Sequence, residues 1–468
     1  MKYWLLLCFL LPLLLRAQNV PTVLSEDDFL SLVAEHHPLA ARAELQRDRA
    51  RALMREARGG FDPKLYGDLA QKYFKGTRYY SVAEGGLKVP TWFGVELNAA
   101  YERNDGYYLN PEHTVPEDGL FAAGLTVSLG QGLLFDQRRA ELRRAQIYRA
   151  ATDAERRIQL NDLLYDAGAR YWEWAEAQGA VDVYAEAVEL AETRFRAVSE
   201  SARLGDVPAI DTLEAGIQLQ NRQLSLETAQ LDLANAAAML NAYLWLDGVV
   251  PLELEATTRP VSLDRVVVAP VAVAGTAGQN PELERQRLKL AEYEVDERLQ
   301  IEALKPRIDV KYNALIAGGV AAQPLEGYSM NNYKWGVTFS QSLLLRKERG
   351  KLQLTRVKLS EARLDLSDKS AQLTAKVTQA ENEANTTVRQ YELARRNAND
   401  YGLLLEGERT LFTAGESSLF LVNSREVSYI EAQLKQLELM MKHRKARLRR
   451  NYALGRTFPP VSGDAPIE

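Results

Sequence analysis

Asp136-Gln137-Arg138-Arg139-Ala140 opens a proline-free run of 69 residues that ends at Arg203-Leu204 and meets the turn Gly205-Asp206-Val207-Pro208. Within it, from Leu160, a four-three apolar register continues for 39 residues: Leu160, Leu164, Ala167, Tyr171, Trp174, Ala177, Val181, Tyr184, Val188, Ala191, Phe195 and Val198. That spacing puts every named side chain on one seam of a single helix, as in a coiled coil. At 1.5 Å per residue the helix reaches roughly 100 Å, far more than a globular domain uses.

The unit occurs twice. Gly124-Leu125-Thr126-Val127-Ser128 returns as Gly336-Val337-Thr338-Phe339-Ser340, each followed by a Leu-rich step and a long proline-free stretch. From Gly124 to Gly205 is 81 residues, and from Gly336 to the second turn, Gly415-Glu416-Ser417-Ser418, is 79. A returning helix then runs to another glycine, Gly205 to Gly248 and Gly415 to Gly455. Pro38–Pro63 and Pro281–Pro306 are each 25 residues apart and bracket a helical segment before a strand. Matched intervals of this kind mark an internal duplication. In each half the two shorter helical segments together come close to the length of the long one, so a stacked short pair is expected beside one long helix.

The expected layout follows. Residues 1–17 read as a secretory signal, with Lys2, an apolar run and Arg16-Ala17 before Gln18, although Leu15 departs from the small residue preferred near the cleavage point. A short anchor is the alternative. Residues 18–248 form a first repeat, with helices over 26–37, 39–60, 136–204 and 209–246 and strands within about 63–132. Residues 249–278 are a linker. Residues 279–455 form a second repeat, with helices over 281–304, 346–413 and 419–454 and strands within about 306–345. Residues 456–468 form a disordered tail. Ser25 opens the first helix as an N-cap, with Asp28 three residues on.

Cys8 is the single cysteine and lies inside the apolar run, so an exported chain carries neither disulfide nor thiolate site. The net charge is −5, and an acidic chain does not favour nucleic acid. After the signal no apolar run reaches the length of a membrane helix. Several segments instead alternate as barrel strands do, apolar toward lipid and polar inside. Phe93, Val95, Leu97, Ala99 and Tyr101 form one such series; Phe121, Ala123, Leu125, Val127 and Leu129 another; Ile308, Val310, Tyr312 and Ala314 a third; Tyr333, Trp335, Val337 and Phe339 a fourth. A soluble sandwich with one wet face is the plain alternative. With two strands from each half, one chain brings about four, too few to close a barrel, so several copies are expected. Between Pro63 and Gly124 lie 31 more residues than between Pro306 and Gly336, with room for an additional hairpin near 78–103. Whether it joins the sheet is open at this level.

The chain resembles the TolC-type outer membrane efflux proteins. The likeness is carried by His37-Pro38-Leu39, Asp62-Pro63-Lys64-Leu65, Leu133-Leu134-Phe135 before Arg138-Arg139-Ala140, and Gly205-Asp206-Val207-Pro208-Ala209-Ile210-Asp211-Thr212-Leu213-Glu214-Ala215. The second half adds Asn280-Pro281-Glu282-Leu283 and Gly415-Glu416-Ser417-Ser418-Leu419. It implies an α+β membrane fold: a homotrimer with a twelve-stranded barrel in outer membrane lipid, continued by a tube of helices through the periplasm. It further implies a periplasmic adaptor and an inner membrane transporter as partners. Leu204, Gly205, Asp206, Val207, Gly415, Glu416 and Ser417 would form the periplasmic tip and its adaptor contact. Asp211 and Phe412 are candidate gate residues. Asp211 matches an acidic residue of the family's closure, but a plain carboxylate favouring a helix N-terminus is the preferred reading. The second turn departs from the best-known relative, with Phe412 and Ser417 in place of a tyrosine and an arginine, and Leu421 and Ser424 in place of acidic residues.

No catalytic or cofactor site emerges. His36, His37, His113 and His443 stand at no metal-ligand spacing, and Met440-Met441 reads as core rather than a soft-metal site. Neither a phosphate loop nor a nucleophile elbow is present, and an outer membrane barrel enzyme lacks a serine-histidine pair. The expected function is a passive exit duct of an efflux pump or type I secretion system. A periplasmic coiled-coil spacer without a pore is the alternative.

Overall fold

A computed structural model describes residues 23–262, 265–272, 277–317 and 329–456. The expected signal (1–17) and, apart from Arg456, the expected tail fall outside them. In chain order the elements are β1 (Val23–Leu24), α1 (Glu26–His36), α2 (Pro38–Gly59), β2 (Lys64–Phe74), β3 (Thr77–Pro90), β4 (Val95–Asp105), β5 (Leu120–Gly130), α3 (Gln137–Leu204) and α4 (Ala209–Asn241). There follow β6 (Trp245–Leu246), β7 (Val250–Pro251), β8 (Arg259–Pro260), α5 (Pro281–Glu302), β9 (Arg307–Ala317), β10 (Tyr333–Ser340), α6 (Arg346–Thr413) and α7 (Leu419–Ala453). The two long helices, α3 and α6, are each 68 residues. Among the described residues no helix is long and apolar enough to cross a membrane.

The chain divides into two compact units. Among the described residues, one comprises those within Met1–Ala41, Leu160–Gly275 and Lys376–Glu468; the other comprises those within Arg42–Gln159 and Thr276–Ala375.

The second unit holds one antiparallel six-stranded sheet in the order β10-β9-β5-β4-β3-β2. This corrects the expectation of four strands: the first half supplies four and the second half two. The additional hairpin escapes a periodicity reading because Gly85-Gly86 and Ser81 dilute the apolar alternation of β3. In the sheet it is fully paired, from Lys64 opposite Lys88 across to Pro90 opposite Glu96. The register sorts the faces. Val89, Leu97, Leu125 and Tyr312 share an apolar row with Trp335, while Lys88, Asn98, Gly124, Asn313 and Lys334 share a polar one. On the polar face Asn98 Nδ2 donates to Asn313 Oδ1 at 2.7 Å across Gly124, and Ser128 Oγ donates to Asp309 Oδ1 at 2.7 Å. Gly124 must be glycine: a Cβ there would lie 1.9 Å from the Tyr312 carbonyl oxygen and 2.3 Å from Asn313 Oδ1.

The first unit is helical. Phe29, Leu164, Tyr171, Leu240 and Met441 are almost wholly buried in it. Tyr171 donates its hydroxyl to the Leu24 carbonyl at 2.9 Å, and Trp172 Nε1 donates to Glu26 Oε1 at 2.9 Å. Burial pushes the Tyr171 hydroxyl up to about 12. Helix α4 stops at Asn241, short of the expected 246. Asn241 Oδ1 accepts the Leu254 backbone N–H at 3.0 Å, and Asp247 and Gly248, both at positive φ, turn β6 back onto β7. An Asp-Gly pair is a strong hairpin signal and here overrides the helical pattern.

Candidate tip and gate

The two turns between a long helix and its returning partner are built alike. After α3, Gly205 N–H donates to Ala202 O at 3.1 Å and Asp206 N–H to Ser201 O at 2.9 Å. After α6, Gly415 N–H donates to Phe412 O at 3.0 Å and Glu416 N–H to Leu411 O at 2.9 Å. Both pairs form the Schellman arrangement that satisfies the last carbonyls of a helix, and it needs a left-handed residue at its pivot. Gly205 and Gly415 supply it, with φ of 85° and 78°. The next helices begin differently, α4 after Pro208 without a side-chain cap and α7 with Ser418 Oγ accepting the Leu421 N–H.

Behind the turns Val198, Ala215 and Leu419 form an apolar cluster with Phe195, Val207 and Phe412 packed against it. Two of the residues singled out from the sequence, Val207 and Phe412, therefore meet here. Ser417 also points inward and donates its hydroxyl to Glu408 Oε1. Leu204, Asp206 and Glu416 are exposed at the turns. Asp211 stands in the first turn of α4, where a carboxylate favours the helix dipole, and among the described residues no hydrogen bond or ion pair involves its side chain.

Next to this cluster lies a charge network that the sequence reading missed. The Glu426 side chain is 3% exposed and faces three guanidinium groups. Arg194 Nη2 donates to Glu426 Oε2; Arg222 Nε lies 3.8 Å from Oε1; and Arg409 Nη2 lies 3.6 Å from Oε2. Arg194 Nη1 also donates to Asn423 Oδ1 at 2.8 Å, and Asn423 Nδ2 donates to Glu214 Oε1 at 3.0 Å. Glu408 takes Arg425 at 3.5 Å. The network thus ties α3, α4, α6 and α7 together. Arg222 Nε, Arg409 Nη2 and Arg425 Nε are buried without a hydrogen-bond acceptor, so these cations are held by charge rather than by matched donors. Such a cluster is rigid while complete and costly once a partner is removed. A signal was available: on α7 the buried stripe runs Leu419, Val422, Asn423, Glu426, Ile430, so a carboxylate occupies an apolar seam position.

Met440 and Met441 are core side chains. His443 is fully buried, with Nδ1 3.1 Å from the Ala384 carbonyl, and burial lowers its pKa below the usual imidazole value. Among the described residues no three His, Cys, Asp or Glu side chains are grouped to hold a metal.

No family model and no curated protein sequence matches the chain. Solved structures do. The CmeC outer membrane channel of Campylobacter jejuni aligns with a TM-score of 0.65 at 14% identity, over 92% of this chain and 85% of that one. CusC, in a study of folding and transmembrane channel formation, aligns at 0.67 and 14% identity over 92% of each chain. The open-state MtrE outer membrane channel of Neisseria gonorrhoeae aligns at 0.67 and 12% identity, over 92% of this chain and 89% of that one. This chain has the fold of these outer membrane channels, that of the TolC-type proteins.

Proposed function

We propose that a chain with this fold works as the outer membrane exit duct of an efflux pump or type I secretion system. The observation that carries the reading is the uncovered apolar face of the sheet. Leu65, Leu69, Leu97, Trp335, Val337 and Phe339 are all exposed on it, opposite a face of Lys, Asn, Thr and Asp. A contiguous apolar surface of that extent suits lipid rather than water. The 11-residue length of β2, β4, β5 and β9 matches the span of a tilted membrane strand. A water-filled lumen needs every backbone group paired, which one open sheet does not achieve, so the reading includes a homotrimer.

In this reading the helical unit stands in the periplasm after the signal is removed. Leu204, Gly205, Asp206, Val207, Gly415, Glu416 and Ser417 form the tip that meets a periplasmic adaptor. An inner membrane transporter supplies the driving force. The Glu426 cluster holds the tip helices together, Phe412 packs in the apolar cluster behind the turns, and the half-buried Asp211 makes its contact outside the copy. The duct itself performs no chemical step and holds no cofactor. A pore-free spacer would have no use for the apolar face.

The test is fractionation with heat-modifiable gel mobility, followed by planar bilayer conductance of the purified protein. Outer membrane material that conducts, with larger conductance in Glu426→Ala, is the expected result. Material confined to the soluble periplasm would sink the reading.

A further inference from the structure

The two edges of the sheet, β2 and β10, are open, and they are complementary. All eight residues of β10 and ten of the eleven in β2 are exposed. In an all-antiparallel sheet of six strands the first and last run in opposite directions, so β10 of one copy meets β2 of another as an antiparallel pair. Their faces agree as well. Through the continuous register, Leu65, Gly67, Leu69 and Gln71 of β2 lie on the same face as Trp335, Val337 and Phe339 of β10. Lys64, Tyr66 and Asp68 share the polar face with Lys334, Gly336 and Thr338. An open row of backbone donors and acceptors is not tolerated in lipid.

The additional hairpin also carries the marks of a membrane strand pair. Its β3–β4 turn exposes Trp92 and Phe93, and Trp92 stacks on Phe61 with ring centroids 4.4 Å apart. At the opposite end of β3, the turn from β2 exposes Tyr73 and Phe74, with Lys72 over Tyr79 at 4.9 Å. Aromatic residues at both ends of an apolar band are the pattern of lipid-water interfaces.

We propose that the hairpin is part of the barrel wall and that β10 of one copy pairs with β2 of the next. Each copy then gives six strands, and three copies close an eighteen-stranded barrel instead of the twelve that the family resemblance implies. Barrel diameter grows roughly linearly with strand number, so the lumen is about one and a half times as wide. The widened wall adds Lys64, Lys88, Glu84 and Asp68 to the lumen lining. This rests on the outer membrane channel reading.

Cysteine cross-linking tests it in the full chain, with Cys8→Ser removing the native thiol. Val337→Cys combined with Leu65→Cys or Leu69→Cys is expected to give inter-copy disulfides, and combined with Leu97→Cys none, because β4 is flanked by β3 and β5. Deleting residues 62–93, which joins Phe61 to Gly94 at one end of the sheet, is expected to move the cross-link to Leu97→Cys. Cross-linking to Leu97→Cys in the full-length chain would overturn the six-stranded wall and leave the channel standing. A monomer outside the outer membrane would remove the channel reading and the wall with it.

Discussion

The two halves of the duplicated chain share a backbone plan and differ in what they set against it. Helices α3 and α6 have the same length, and both end in the same Gly-pivoted turn. Yet at the eighth residue of the returning helix one half has Gly216 and the other Glu426. Gly216 makes room for Phe195, whose Cε2 would lie 3.3 Å from a Cβ there, while Glu426 gathers Arg194, Arg222 and Arg409. One turn is thus backed by an aromatic ring and the other by a buried charge. Two of the three arginines come from the half that lacks the carboxylate. The backbone frame repeats, and the side chains set against it differ so that the two halves interlock.

The same contrast recurs in the sheet. The repeated glycines Gly124 and Gly336 stand at equivalent places, but Gly124 is walled in by β9, whereas a Cβ at Gly336 would meet nothing within 4 Å. An interior strand leaves no space above its backbone, and an edge strand does.

Five experiments on variants probe how deep the contrast runs. The greatest change is expected at Glu426→Ala, which takes the buried carboxylate from Arg222 and Arg409 and leaves Arg194 only its Asn423 bond, at a local cost of about 3 kcal/mol. Protease cutting at the tip turns should accelerate and conductance should rise; parental behaviour in both would make the cluster a bystander. Gly124→Ala is expected to cost about 1–3 kcal/mol or more by overpacking against the Tyr312 carbonyl, and Gly336→Ala under about 0.5 kcal/mol. Thermal loss of the folded gel mobility compares them, and equal midpoints would mean that pairing with a neighbouring copy crowds Gly336 as β9 crowds Gly124.

Gly205→Ala and Gly415→Ala should each cost about 1–2 kcal/mol, because both force a side chain into the left-handed region. Similar shifts in the unfolding midpoint would support equivalent turns. The fourth concerns pH. His443 stands where the first half has Leu233, and burial holds its pKa low. Below about pH 6.5 the unfolded chain binds a proton that the native imidazole resists, so stability present above that pH declines as pH falls, by at most about 1.4 kcal/mol per unit. His443→Leu should flatten that slope in urea titrations at pH 7 and 5.5. The slightest change belongs to Asp211→Asn, about 0.3–1 kcal/mol if its carboxylate serves only the helix dipole. A conductance change without a stability change would assign it to the gate instead.

Much of the fold was legible in the chain itself. The four-three register of Leu160 to Val198, the return of Gly124-Leu125-Thr126-Val127-Ser128 as Gly336-Val337-Thr338-Phe339-Ser340, and the strand alternation all pointed to the channel architecture, since each is a local periodicity. The candidate site was legible only in part. Gly205 and Gly415 announced their turns, because a left-handed pivot selects glycine. Arg194 and Arg222 carry no local signal of a shared role, because their common partner lies more than 200 residues away.

Sequence alone determined the helix seams, the glycine pivots and the two-sided character of the strands, all of which follow from the geometry of a few neighbouring residues. The tertiary structure alone decided that the weak Gly85-Gly86 strand is a full member of the sheet and that three arginines converge on Glu426. Pairing and convergence depend on which distant segments meet, and no local period encodes that.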